Sequence, residues 1–398
     1  MNKTKATLLI LACILCSIYA CKDDDGTTTP DTPTEPTFDA IKAKFANNID
    51  LENLENYANQ SIPAYITKDN MGSNVITDKG ATLGRVLFYD KMLSIDNSIS
   101  CASCHKQNLA FGDDARASVG VDGTTGRHSM RLVNARFSDE VRFFWDERAA
   151  SLEDQSTMPI QDHIEMGYSG ENGDPSFNDL IAKLSEQDYY TEFFQWVYGD
   201  SEITEERMQY ALAQFVRSIQ SFDSKYDAGR SAAPNDGAPF SNFTQDENAG
   251  KQLFLGRPVF DADGVRTAGG AGCAGCHRPP EFDIDPNSRN NGIIGTIAGT
   301  GLDRTNTKSP TLRDVLGTTR RVNGQLMHSG NFGAIQGVLS HYNNITTPNP
   351  QLDPRLNPGG NPQQLNLTVD ERRQLLVFIE TLTGSDVYTN KKWSNPFE

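Results

Sequence analysis

The sequence predicts a mainly α-helical protein made of two tandem copies of one unit, joined and wrapped by long loops. Three observations predict it. The chain has 398 residues, about twice the length of an ordinary domain. A short block recurs, Leu83-Gly84-Arg85-Val86-Leu87-Phe88 ahead of Cys101 and Ala249-Gly250-Lys251-Gln252-Leu253-Phe254 ahead of Cys273, and a Cys-x-x-Cys-His run follows each. Apolar residues also fall at helical spacing in two long stretches. Thr204–Ser221 carries Met208, Leu212, Phe215, Val216 and Ile219; Val369–Leu382 carries Leu375, Leu376, Phe378, Ile379 and Leu382, with Gly384 as a stop. Asp227–Pro239, rich in Gly, Ala, Pro and Asp, is expected to divide the copies, giving units at residues 39–235 and 236–398.

The first residues read as an export signal. Lys3 and Lys5 precede the apolar run Ala6–Ala20, which is too short to span a bilayer. Ile18-Tyr19-Ala20-Cys21 resembles the lipobox of bacterial lipoproteins, with Tyr19 in place of the usual small residue. Residues 1–20 are therefore expected to be cleaved and Cys21 lipidated, with 21–38 as a flexible tether; a plain cleaved signal is the alternative. The expected location is the cell envelope, anchored at the outer membrane by lipid alone and facing the periplasm or the cell surface. The net charge of −16 repels nucleic acid and excludes phosphate-tracking functions. It would steer small basic redox partners inward, or serve solubility alone.

Of seven cysteines, Cys13 and Cys16 leave with the signal and Cys21 would carry lipid. The other four lie in Cys101-Ala102-Ser103-Cys104-His105 and Cys273-Ala274-Gly275-Cys276-His277. Two thiols at this spacing reach the two vinyl groups of one porphyrin, and the adjacent histidine reaches the iron. A redox pair would need no histidine, and a zinc site needs four ligands that neither run supplies. The reading is two covalently bound haems c, at Cys101 and Cys104 with His105 as iron ligand, and at Cys273 and Cys276 with His277. The fold class is then two tandem cytochrome c-like haem domains with long loops.

With these motifs in tandem, the chain resembles the bacterial dihaem cytochrome c peroxidase and MauG family over about residues 75–385. The resemblance rests further on Phe144-Trp145-Asp146-Glu147-Arg148-Ala149, where the family reads F-W-D-G-R-A. Ser151-Leu152-Glu153, Gln155-x-x-x-Pro159 and Ile164-Glu165-Met166 continue it, then Ser309-Pro310-Thr311-Leu312-Arg313-Asp314 and Met327-His328-Ser329-Gly330. It implies that the first haem is the peroxide site and the second the electron entry or store. It also implies that Trp145 lies between the haems, that Gln155 and Pro159 line the distal pocket, and that Glu165 is the distal acid. The competing readings are a core aromatic for Trp145 and a surface carboxylate for Glu165. His163 reads as a satisfied or exposed histidine.

Two departures bear on the subtype. The family's peroxidases carry a blocking histidine in S-x-G-H-G, and here Ser118-Val119-Gly120-Val121-Asp122-Gly123 puts Val121 in its place. The implication is an open first iron, although His128 is close enough in sequence to swing in. The family's methionine ligand to the second iron falls at Tyr342, as in the MauG branch, with His341, His328 and Met327 as competitors. A phenolate ligand would favour the oxidised metal. The family's interdomain calcium also carries over, but His128 stands where an asparagine helps bind it, and imidazole is a poor ligand for that ion. The expected function is reduction of hydrogen peroxide to water with electrons from a small cytochrome c or copper protein, in a chain that the family's habit would pair into a homodimer. Peroxide-dependent oxidation of a partner protein, as in MauG, and a non-enzymatic dihaem electron carrier are the alternatives.

Overall fold

Two close helix crossings, one in each half, organise the protein. The computed structural model describes residues 36–347 and 349–398. Cys13, Cys16 and Cys21, with the signal and lipid site expected there, lie outside the described residues. In chain order the helices are α1 (Asp39–Phe45), α2 (Asp78–Tyr89), α3 (Cys101–Cys104), α4 (Leu152–Thr157), α5 (Phe177–Ser185), α6 (Asp188–Tyr198), α7 (Glu205–Ser218), α8 (Lys225–Ser231), α9 (Gln245–Leu255), α10 (Ile335–Asn343) and α11 (Val369–Glu380). Strands are confined to short antiparallel pairs: β1 (Val119–Gly120) with β2 (Gly123–Thr124), β3 (Pro258–Phe260) with β4 (Arg266–Gly269), and β5 (His277–Arg278) with β6 (Asp283–Ile284). Among the described residues no helix is long and apolar enough to cross a membrane.

The repeated block explains the crossings. In the first half α2 packs on α7, and in the second α9 packs on α11. Gly84 lies so close to α7 that a Cβ would stand 1.9 Å from the Ala211 carbonyl and 2.8 Å from Phe215 Cβ. Gly250 repeats this on α11, with the Gln374 carbonyl at 1.9 Å and Phe378 Cβ at 2.9 Å. The next aromatic of each block fills the crossing, Phe88 beside Phe215 and Phe254 beside Phe378, with ring centroids 5.1 and 5.3 Å apart. Thr204 and Thr368 cap α7 and α11, each accepting the backbone N–H three residues on.

Residues 38–398 form one compact unit with two apolar cores, one built on α1, α2, α6 and α7 and the other on α9, α10 and α11. The stretch expected to divide the copies is partly helical. Asp227–Ser231 belongs to α8, where Ser224 and Asp227 form a capping box, and Asp227 is buried in an ion pair with Arg313 at 2.9 Å. After α11 the chain returns to the first core, where Val387 and Trp393 are buried. Tyr57, Arg85 and Tyr89 bond to the backbone carbonyls of Lys392, Ser394 and Trp393.

Because both crossings are backbone-limited, Gly84→Ala and Gly250→Ala should each cost about 1–3 kcal/mol of stability. A denaturant titration followed by near-ultraviolet circular dichroism measures this, and an unchanged midpoint in either variant would refute the close-contact account.

Candidate active site

The first Cys-x-x-Cys-His run forms α3, a single turn closed by a capping box between Ser100 and Ser103. The turn leaves Cys101 and Cys104 on one side and passes directly into His105, whose N–H donates to the Cys101 carbonyl at 3.0 Å. Nδ1 of His105 lies 3.1 Å from the Phe111 carbonyl. A carbonyl on one ring nitrogen fixes the tautomer and leaves the other for a metal. Burial lowers the His105 pKa and keeps the imidazole neutral, as ligation requires. Burial also pushes the Cys101 and Cys104 thiols up, to about 12 and about 11. Cys101, Cys104, His105, Gln155, Pro159 and Glu165 all line one cavity. It continues into a space of roughly 440 Å³ that shares His105, Gln155, Pro159 and Glu165 and adds Trp145.

In the second half, Cys273, Cys276, His277 and Tyr342 line a cavity of roughly 890 Å³. Nδ1 of His277 is buried without a hydrogen-bond partner, and burial holds that ring's pKa at about 4. Among the described residues, none of these four cysteines is in a disulfide. A paired thiol edge, a neutral buried imidazole and an adjoining slot in each half fit a covalently bound haem c.

Glu165 is the acid facing the first cavity. Its pKa is raised to about 7, chiefly by burial and secondarily by Asp162, against the pull of Arg148. The β1–β2 hairpin holds its backbone in place: Val121 N–H donates to the Glu165 carbonyl at 3.1 Å and Asp122 N–H to the Ile164 carbonyl at 3.2 Å. A Cβ at Gly120 would lie 2.0 Å from that Ile164 carbonyl, so only glycine lets the hairpin seat there. Val119 and Gly120 line the cavity, and Val121 sits at the turn between the strands. His163 is elsewhere, half-exposed between Asp122 at 2.8 Å and Asp174 at 2.7 Å.

Tyr342 lines both the large second cavity and a smaller one that also contains His277, Met327 and Trp145. Its phenol pKa is raised by burial. The competitors are engaged otherwise. His341 Nε2 lies 2.8 Å from the Asn291 carbonyl, and the Met327 sulfur accepts from Asn291 Nδ2 at 3.4 Å. His328 Nε2 lies 3.1 Å from both the Gly295 carbonyl and Asn306 Nδ2.

Trp145 stands in the wall between the cavities and lines both sides of it. It is 7% exposed. The indole N–H donates to the His128 carbonyl at 2.6 Å, and the Trp145 carbonyl accepts from the N–H groups of Thr307 and Lys308 at 2.9 and 3.1 Å. His128 is buried, with Nδ1 2.9 Å from the Ala115 carbonyl, and its N–H donates to the His328 carbonyl at 2.7 Å. Glu147, in the family's glycine position, has φ +56°, the left-handed conformation that glycine adopts without cost. Among the described residues, no group of three or more His, Cys, Asp or Glu side chains is placed to hold a metal ion, so nothing there adds to the calcium reading. Sequence reasoning missed the hairpin behind Glu165, of which Gly120 was the visible sign, and the clamp from His128 to His328, which joins residues distant in the chain.

The comparisons agree with this geometry. Residues 78–232 match the family model for di-haem cytochrome c peroxidase. The methylamine utilization protein MauG of Methylorubrum extorquens is 30% identical over 324 residues, covering 78% of this chain and 80% of that protein. The cytochrome c551 peroxidase of Nitrosomonas europaea is 27% identical, covering 76% and 80%. A crystal structure of a MauG-like protein associated with microbial copper homeostasis superposes with a TM-score of 0.62 at 24% identity, covering 85% of this chain and 99% of that one, which is a likeness of fold. The chain belongs to the dihaem cytochrome c peroxidase and MauG family, and it carries two covalently bound c-type haems.

Proposed function

We propose that this protein reduces hydrogen peroxide to water at the haem held by Cys101, Cys104 and His105, with electrons from a small redox protein of the cell envelope. The observation that carries this reading is the grouping of Glu165, Gln155 and Pro159 in the cavity of His105. When bound, the haems supply iron that exchanges electrons with peroxide and with the donor. The residues do the rest. Glu165, as a carboxylate, takes the proton from one peroxide oxygen and returns it to the other as that oxygen leaves. A pKa near 7 suits both transfers. Gln155 offers amide groups to orient the peroxide, and Pro159 narrows the pocket without adding a competing proton donor. Trp145 is the electron station between the two cavities. Tyr342, which shares the second cavity with His277, is the residue that would hold the second iron along with it. The acid surplus favours a basic small cytochrome c over an acidic donor, with a copper protein of similar charge as an equivalent. Lipidation at Cys21 would hold the reaction at the outer membrane.

A second reading, peroxide-dependent oxidation of a partner protein, is favoured by Tyr342 in the second cavity and by the relatives named MauG. A phenolate ligand disfavours reduction by a high-potential donor and so favours storing oxidising charge. A purely electron-carrying role is disfavoured by Val121 in the place of the family's blocking histidine and by Glu165 in the lining of the first cavity.

Three outcomes test this. The peroxide rate should rise with pH through about 7, because only ionised Glu165 accepts a proton, and Glu165→Gln should flatten that rise and slow the reaction by about 10²–10⁴-fold. Stopped-flow absorbance reads both, and an unchanged profile in the variant would remove Glu165 from the mechanism. As isolated in the diferric state, the protein should bind cyanide at one haem; no change in the Soret band would mean that both irons are blocked. Tyr342→Phe should alter the second haem's low-temperature electron resonance, whereas an unaltered signal would exclude the tyrosine.

A further inference from the structure

Both haem cavities have a cysteine end and an end where they approach each other, and one arginine stands at the second end of both. The part of the first cavity that carries Cys101 and Cys104 excludes Arg131. The part that carries Arg131 excludes both cysteines, and His105 is common to the two parts. The second half repeats the arrangement. Cys273 and Cys276 line the large cavity without Arg131, while Arg131 lines the smaller one with His277 and Tyr342.

Three arginines line the first cavity. Arg127 pairs with Asp146 at 2.6 Å and Asp303 at 2.7 Å. Arg148 pairs with Asp146 at 2.9 Å. Arg131 has no ion pair among the described residues. Its Nη2 donates to the Thr311 carbonyl at 3.1 Å, and its Nε is covered by protein with no hydrogen-bond partner. Burial drags its pKa down to about 10, with Tyr388 and Asp314 opposing from beyond ion-pair distance. Lys308, in the same wall, donates to the Arg142 carbonyl at 2.6 Å and stands in the field of Glu140 and Glu147. Arg131 is thus the cation in this wall with least compensation. An unpaired guanidinium out of water is costly, and its planar fork of donors matches a carboxylate.

The sequence sharpens the point. Ser129-Met130-Arg131-Leu132 parallels Ser309-Pro310-Thr311-Leu312 in the second copy, so arginine stands in one copy where threonine stands in the other. The two segments meet through the Arg131–Thr311 bond. Haem c is fixed by its vinyl edge and carries two propionate carboxylates on the opposite edge. A haem tethered at the cysteine end of either cavity turns that opposite edge toward Arg131.

We propose that Arg131 is the receptor for a haem propionate at the partition where the two cavities meet. The assignment rests on the presence of the haems and not on which reaction they catalyse. Pairing a propionate there neutralises its negative charge beside the irons and raises the reduction potential of the haem that supplies it.

The test uses the full haem-loaded chain as wild type, Arg131→Lys and Arg131→Met, with haem content checked by pyridine haemochrome. Spectroelectrochemical titration should show a downward shift of one or both midpoint potentials in Arg131→Met and little shift in Arg131→Lys. Resonance Raman should show altered propionate bending bands in Arg131→Met. If Arg131→Met loads poorly, the comparison of these bands between wild type and Arg131→Gln takes its place. Potentials and propionate bands unchanged from wild type would overturn the assignment. A carboxylate from solution is the other source of the same chemistry, so the wild type is also titrated with acetate. A saturable Soret shift that Arg131→Met loses would assign the arginine to a soluble anion and overturn the propionate reading; no shift supports it.

Discussion

The hydrogen bonds that fix Trp145 tie the two halves of the molecule into one wall. The indole N–H is held by the His128 carbonyl of the first half, and the Trp145 backbone carbonyl is held by the Thr307 and Lys308 amides of the second. His328 meets its edge at 6.2 Å between ring centroids and is itself tied to the His128 backbone. A residue tied at both its ring and its backbone is held in place, and the distance between two redox centres stays constant only if whatever separates them does. The same bonds consume polar groups that would otherwise admit water between the cavities. Glu147, at its positive φ two residues on, shows that the chain keeps this turn at the expense of local backbone comfort.

Chemistry at the first haem is set by environment rather than by residue type. The chain is rich in carboxylates, and most of them stand in water or against a cation. Glu165 differs because the hairpin and α4 enclose it, and because Arg148, its nearest opposing charge, is already committed to Asp146 and stacks on Phe144 at 3.5 Å. Burial without a partner moves an ordinary acid into the range where it can both take and give a proton near neutral pH. The second cavity has a phenol, Tyr342, in its lining, so the two slots, alike in their thiols and imidazole, differ in the other groups they present.

What could be read in advance was what is local in sequence. Both haem runs, the helices on Glu205–Ser218 and Val369–Glu380, and the repeated glycine block all announce themselves within a dozen residues, because periodicity and short motifs are local properties. Gln155, Pro159 and Glu165 were legible through the family resemblance, and the structure puts them in one cavity. The competition between His341 and Tyr342 was not legible. Adjacent helical residues point about 100° apart, so a one-residue error in register exchanges a cavity-lining phenol for a ring bonded to a loop carbonyl. Linker composition suggested an open joint at Asp227–Pro239, whereas the buried pair of Asp227 with Arg313 draws its start into α8. Nothing near Asp227 in the chain advertises Arg313.

The return of residues 386–398 to the first core has a consequence for how the two halves depend on each other. Trp393 is 1% exposed and donates its indole N–H to Ser218 at 3.2 Å, so a segment that follows the second haem run completes the apolar core of the first half. The two halves are therefore not separable by a simple cut: a chain ending at residue 385 would keep both haem runs and lose Val387 and Trp393 from the first core.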